Sequence, residues 1–150
     1  MTHRRLELND MNAAAAVHRA ALLYALPVFQ GLHTPEEDRR YFREQVFRRC
    51  EVWGAFEEST LVGIIAFREN WIDQLYVLPG CQRRGVGTVL LEIGRNKHPS
   101  FNAWTFQRNA VARKFYESRG FVKIKETDGA DNAEKEPDVL YFWSRQTPFL

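Results

Sequence analysis

The stretch LYVLPGCQRRGVGT, running from Leu75 to Thr88, combines residue types that can do chemistry together. Its first half is apolar and β-prone, and Pro79-Gly80 then breaks the pattern. Gly85 and Gly87 lead into a run of helix formers. Strand, turn and helix start therefore follow one another. Amides at a helix start have no intrahelical partner, and with the helix dipole they favour an anion. Gly85 and Gly87 let backbone approach a phosphate with no Cβ in the way. Arg83 and Arg84 add positive charge at the same place. These features predict a pyrophosphate or similar anion on Gln82, Arg83, Arg84, Gly85, Val86, Gly87 and Thr88. The spacing is not G-x-x-x-x-G-K-[ST], so it is not a nucleotide-hydrolase P-loop. Nor is it G-x-G-x-x-G, which argues against a dinucleotide site.

The elements around this segment set where it can sit. Arg4 to Leu8 reads as a short first strand, with Asn9 as N-cap of an alanine-rich helix from Asp10 to Leu23. Pro27 ends that region. Thr34-Pro35-Glu36-Glu37 predicts a second helix start, with Thr34 as cap, Pro35 in the first turn and Glu37 closing a capping box. That helix runs to Arg49, its mixed charges forming a solvated face around a stripe with Phe42 and Val46. Glu51–Glu57, Leu61–Phe67 and Trp71–Val77 read as an antiparallel meander, turning at Glu58-Ser59-Thr60 and Arg68-Glu69-Asn70. A helix follows near Gly85, with Val86, Val89, Leu90 and Ile93 on one face. Phe101–Gln107 is the next strand and Ala110–Ser118 a short helix, with Gly120 at its C-terminal cap. Phe121–Thr127 and Val139–Ser144 form a last strand pair across the polar loop DGADNAEKEPD. This order predicts a mixed α/β architecture with at least one parallel pair, joined by a right-handed crossover from Trp71 to Gln107.

Composition excludes several classes. The 150 residues favour one domain, spanning 1–150, and the 45% apolar content is that of a globular chain. No apolar run is long enough to span a bilayer, and MTHRRLELND does not read as a secretory signal, so a soluble, cytoplasmic protein is expected. The net charge of +2 gives no basic stripe for nucleic acid. Cys50 and Cys81 lack C-x-x-C spacing and read as reduced thiols, and His3, His18, His33 and His98 lack metal-ligand spacing, so no metal is expected.

Gln82-Arg83-Arg84-Gly85-Val86-Gly87 resembles the Q/R-x-x-G-x-G/A signature of the GNAT acetyltransferase superfamily. The flanks strengthen the likeness. Leu75-Tyr76-Val77-Leu78-Pro79 looks like that family's fourth strand and its proline. Asn109 to Phe121, NAVARKFYESRGF, is similar to its second block, with Asn at a strand end, Tyr on the helix and Gly-Phe closing it. The resemblance covers nearly the whole chain, loosely over the first fifty residues. Segments such as His33-Thr34-Pro35-Glu36-Glu37, Thr127-Asp128-Gly129 and Pro137-Asp138 also look like a bacterial subgroup of undefined acceptor.

The resemblance implies the GNAT fold, a splayed mixed sheet flanked by helices. It also implies an N-acetyltransferase that moves an acetyl group from acetyl-CoA to a primary amine in one ternary complex. Leu75, Tyr76 and Val77 would pair with the pantetheine arm where the strands Trp71–Val77 and Phe101–Gln107 diverge. The amides of Arg83 through Thr88 would hold the pyrophosphate, Asn109 would touch the cofactor arm, and Arg113 would reach a phosphate. Acyl transfer to an amine needs a polarised carbonyl and a proton for the leaving thiolate. A backbone N–H near Val77 suits the first need. Tyr116 suits the second; as a plain helix aromatic it would instead pack beside Phe115. Asp73 is the carboxylate of the fourth strand, four residues before Val77 and so expected on the same face. It reads either as general base or as a strand-end acid making a local bond or facing solvent.

Other residues are read more plainly. His33 is taken as a loop residue, and Trp71, Trp104 and Phe106 as core aromatics. The acidic DGADNAEKEPD loop is read as a solvated connection rather than an attractor for a cationic acceptor. A small-molecule amine is the expected acceptor. A protein amine, a non-catalytic acyl-CoA sensor and a tRNA-directed enzyme are the alternatives. A homodimer joined through Val139–Ser144 is a further expectation.

Overall fold

The computed structural model describes residues 1–146. A short edge strand, β1 (Thr2–Arg5), is followed by a 3-10 turn over Leu8–Asp10 and helix α1 (Met11–Ala25). The first strand thus ends earlier than expected. Asn9 does not cap α1, because the 3-10 turn intervenes and Asp10 accepts the Glu7 amide at 2.8 Å. After a 3-10 turn at Pro27–Phe29 comes α2 (Pro35–Tyr41). The capping box forms as read: the Glu37 N–H donates to Thr34 Oγ1 at 3.1 Å, and the Thr34 N–H donates to Glu37 Oε1 at 2.7 Å. A π turn over Phe42–Val46 joins α2 to α3 (Phe47–Arg49), and Phe42 and Val46 are buried.

The meander is β2 (Glu51–Glu57), β3 (Thr60–Arg68) and β4 (Asn70–Val77), all antiparallel. A 3-10 turn at Pro79–Cys81 leads to α4 (Val86–Lys97), then β5 (Ser100–Phe106), α5 (Ala110–Ser118), β6 (Val122–Thr127) and β7 (Asp138–Ser144). The buried face of α4 is Val86, Leu90, Leu91 and Gly94. It is rotated from the predicted stripe because Phe67 and Phe101 press against Gly94.

Among the described residues the sheet has seven strands in the order β1-β2-β3-β4-β5-β7-β6. The β4–β5 pair is the parallel crossover the sequence implied. β7 lies between β5 and β6, so Val139–Ser144 is an interior strand with both edges occupied and cannot join a second copy. Cores form on both faces. One packs α4 and α5 side chains such as Leu90 and Tyr116 against Ile65 and Phe101. The other packs Met11, Ala14 and Phe42 against Val52 and Ile64. Among the described residues no helix is long and apolar enough to cross a membrane.

Candidate active site

The site begins where two strands part. β4 pairs with β5 only from Asn70–Phe101 to Ile72–Ala103, after which the ladder stops. At that point β4 also bulges: Ala66 pairs with Gln74 and Phe67 with Ile72, leaving Asp73 as the extra residue. The bulge breaks the strict alternation that put Asp73 and Val77 on one face. Leu75 and Val77 pack toward α4, whereas Asp73, Gln74 and Tyr76 line a cavity on the α1–α2 side.

The backbone follows the same logic. The Leu78 N–H donates to the Val62 carbonyl at 2.9 Å. In an antiparallel ladder, Tyr76 and Gln74 then also turn their backbone groups to β3, and Leu75 and Val77 turn theirs to the gap. Tyr76 is therefore committed to the sheet by its backbone and reaches the cavity by its side chain, a correction to its expected pairing role. The Val77 carbonyl accepts a bond from Gln82 Nε2 at 3.1 Å, tying strand to turn.

The turn is built from left-handed residues. Arg83 has φ of 65° and Gly85 of 84°, and Gly85 is the N-cap of α4. A glycine cap brings no side-chain acceptor, and a Cβ at Gly85 would meet open space, so the first α4 amides face outward. Gly87 serves another purpose than the expected one. A Cβ there would lie 3.0 Å from the Phe115 ring, so this glycine lets α5 approach α4. Arg83 is exposed, while Arg84 forms an ion pair with Glu57. Thr88 Oγ1 accepts from both Nε and Nη2 of Arg119, at 3.1 and 2.6 Å, and that guanidinium lies 3.9 Å above the Phe115 ring. Arg119 thus adds a cation beside the turn. Sequence reasoning missed it, since only the packing of α5 on α4 brings it there.

The second block divides. Asn109 Oδ1 accepts the Ala112 amide at 3.1 Å, so the side-chain oxygen caps α5. Arg113 does not reach for the turn. Its Nε donates to Tyr141 Oη at 3.1 Å, its Nη1 to the Gln107 carbonyl, and it pairs with Glu126. That network points the guanidinium toward β6 and β7 rather than toward the turn before α4. Tyr116 is buried against Phe115, Phe121 and Tyr141. Burial raises its phenol above the ordinary value, with Tyr76 adding to the effect, so it stays protonated.

Asp73 is not a free base. Its two oxygens accept from Arg68 at 2.8 and 3.1 Å, and Cys50 Sγ donates to it at 3.3 Å. Burial, then the Asp73 charge, pushes the Cys50 thiol up to about 12, which makes it inert. Cys81 is half-buried in the turn after β4.

The cavity has a volume of about 560 Å³ and lies across the sheet from the turn before α4. His18 lines it, its ring edge-on to Tyr76 at 4.7 Å. Burial lowers this imidazole to about 4, so it is neutral, and among the described residues its buried Nδ1 has no partner. His33 also reaches the cavity from an exposed position. Trp104 and Phe106 line it as well, and Trp104 is 41% exposed, so it is not the core aromatic expected from its strand. Phe106 meets Phe29 edge-on at 5.0 Å. The acidic loop is not merely solvated, because its Ala133 and Glu134 close one side. Among the described residues no group of His, Cys, Asp and Glu is arranged to hold a metal.

The family described as Acetyltransferase (GNAT) domain matches residues 14–134. The chain is similar to Peptidyl-lysine N-acetyltransferase YiaC of Escherichia coli, 28% identical over 80 residues, covering 53% of this chain and 55% of that protein. It is similar also to Uncharacterized N-acetyltransferase YafP of the same species, 33% identical over 78 residues, covering 52% and 50%. The chain thus spans about half the length of these curated relatives. Apo YjaB from Escherichia coli shares its fold with a TM-score of 0.78, at 20% identity over 95% of this chain and 96% of that one. YncA from Salmonella typhimurium, solved with acetyl-CoA, gives a TM-score of 0.71 at 16% identity over 97% and 94%. With the family match spanning most of its length, this chain belongs to the GNAT acetyltransferase family.

Proposed function

We propose that the chain transfers an acetyl group from acetyl-CoA to the primary amine of a small molecule, in a single ternary complex. One observation carries this reading. The anion turn on one side of the sheet and the cavity on the other meet at the gap where β4 leaves β5. Donor and acceptor can therefore approach one point from opposite sides.

The residues fit the donor. The outward amides from Arg83 to Thr88, with Arg83 and Arg119 nearby, suit a pyrophosphate. The backbone groups that Leu75 turns to the gap suit the pantetheine amides, as an added strand would. Asn109 retains its amide N–H groups for the same arm, its oxygen being used as a cap. The donor supplies an acyl carbon already activated as a thioester. The Val77 N–H is the backbone donor for the developing oxyanion. Tyr116, kept protonated by burial, donates a hydrogen bond to the departing sulfur. A cavity of about 560 Å³ suits a compact acceptor.

Calorimetric titration with acetyl-CoA tests the donor site. Saturable binding is expected, and its loss in Gly85→Trp, because that position needs positive φ. A folded wild type that binds no acetyl-CoA would overturn the proposal. The activity named for YiaC favours a second reading, a peptide lysine as acceptor. Turnover of a lysine peptide well above that of small amines would select it.

A further inference from the structure

The acceptor cavity carries more chemistry than an amine alone requires. Its mouth is apolar, with Leu32 at 46% exposure and Tyr41 and Trp104 each at 41%, among the few large hydrophobic side chains left open to solvent. Leu22, Phe29 and Phe106 continue this lining inward. Two of the basic groups that line the cavity are muted. Arg19 is paired with Asp38 at 2.9 Å, and His18 is neutral.

The acids differ among themselves. Asp38 is held by Arg19, Asp73 by Arg68, and Glu37 by the capping box. Among the described residues Glu134 has no ion-pair partner. It sits near enough to the Tyr76 phenol that, after burial, its charge is the next cause raising that phenol. The loop on either side of Glu134 is tied down. The Asn132 side chain donates to the Glu136 carbonyl at 2.7 Å and to Asp138 at 3.1 Å, and Lys135 Nζ donates to the Ala130 carbonyl at 2.7 Å. Gln107 Nε2 ties both ends of the loop, donating to the Thr127 and Asp138 carbonyls at 2.9 and 3.0 Å. Opposite, the part-buried His18 ring lines the same cavity, and among the described residues its Nδ1 has no hydrogen-bond partner.

Building on the transfer reading above, we propose that this cavity selects a primary amine carried on an apolar, ring-bearing body, with Glu134 receiving the ammonium. The apolar mouth takes the ring, with Trp104 as its main contact. The ammonium lies inward, between Glu134, the Tyr76 phenol and His18, beside the point where β4 parts from β5. A hydroxyl-rich or multiply charged amine would leave polar groups against the apolar collar and is disfavoured. Glu134 is then a specificity residue. It touches the amine before transfer and is placed to accept the proton that the ammonium must lose to become a nucleophile.

Calorimetry with three probes tests this: 2-phenylethylamine, its neutral analogue 2-phenylethanol, and spermidine. Each is titrated into wild type, Glu134→Gln and Trp104→Ala, with acetyl-CoA titrated in parallel. 2-Phenylethylamine is expected to bind at least about tenfold more tightly than either other probe. Glu134→Gln should remove the preference over the alcohol, and Trp104→Ala the preference over spermidine. Neither variant should alter acetyl-CoA affinity, and intact acetyl-CoA binding shows that each is folded. Equal binding of the three probes to wild type, or an unchanged preference in Glu134→Gln, overturns the proposal. With acetyl-CoA binding intact, that result leaves the transfer reading standing. Phenylethylamine binding without acetyl-CoA binding would overturn the transfer reading and support this pocket.

Discussion

Burial keeps the His18 imidazole neutral, its folded value near 4 against an ordinary 6.5. The unfolded chain takes up a proton below about 6.5 that the native state refuses until about 4. Stability from this group is therefore full above pH 6.5 and falls as pH drops toward 4, by up to about 1.4 kcal/mol per pH unit. Urea melts of wild type and His18→Phe across this range should show a steeper acid loss in the wild type. Parallel curves would mean the ring is protonated when folded. Asp73 gives a second prediction. Because Arg68 occupies it, Asp73→Asn should lower stability by roughly 1–2 kcal/mol while leaving the pH–rate profile in place. A shifted acidic limb would restore it as the base. The sequence showed a carboxylate on this strand but not its partner. A bulge is a backbone event with no residue signature, and it moved Asp73 to the other face.

Elements whose determinants are local were readable in advance. The second helix start is the plainest, since Thr34, Pro35 and Glu37 settle it within four residues. Thr34→Ala should cost about 1 kcal/mol in a thermal or urea melt, and no loss would mean the box is broken in solution. The turn before α4 was legible for the same reason, as its left-handed Gly85 and uncapped amides are written in adjacent residues. Side chains whose partners come from distant elements were not. Arg113 finds Tyr141 and Arg119 finds Thr88, contacts across 28 and 31 positions that no local pattern encodes. Glu134 belongs to this group too, since a loop that reads as polar gives no sign of which acid turns inward.

For the molecule as a whole, element order was enough to imply the mixed sheet and its parallel crossover, because a strand–helix–strand unit has one favoured hand. The position of β7 between β5 and β6 was not readable, because strand order depends on pairings distant in sequence. The same placement closes off the edge once expected to join two copies. It leaves β1 and β6 as the outer strands.

The brief contact between β4 and β5 has a consequence for motion. The sheet is two ribbons, β1 to β4 and β5 with β7 and β6, stitched by three residue pairs. A seam so short is a natural place for the molecule to breathe, and its amides should exchange faster than those of the longer ladders. Leu75 and Val77, beyond the last stitch, should exchange rapidly in the free protein and slow sharply once acetyl-CoA is added. Exchange rates at those two amides that ignore the ligand would mean it does not lie against the strand. Where they do respond, the molecule being transformed is also the thread that holds the two ribbons together.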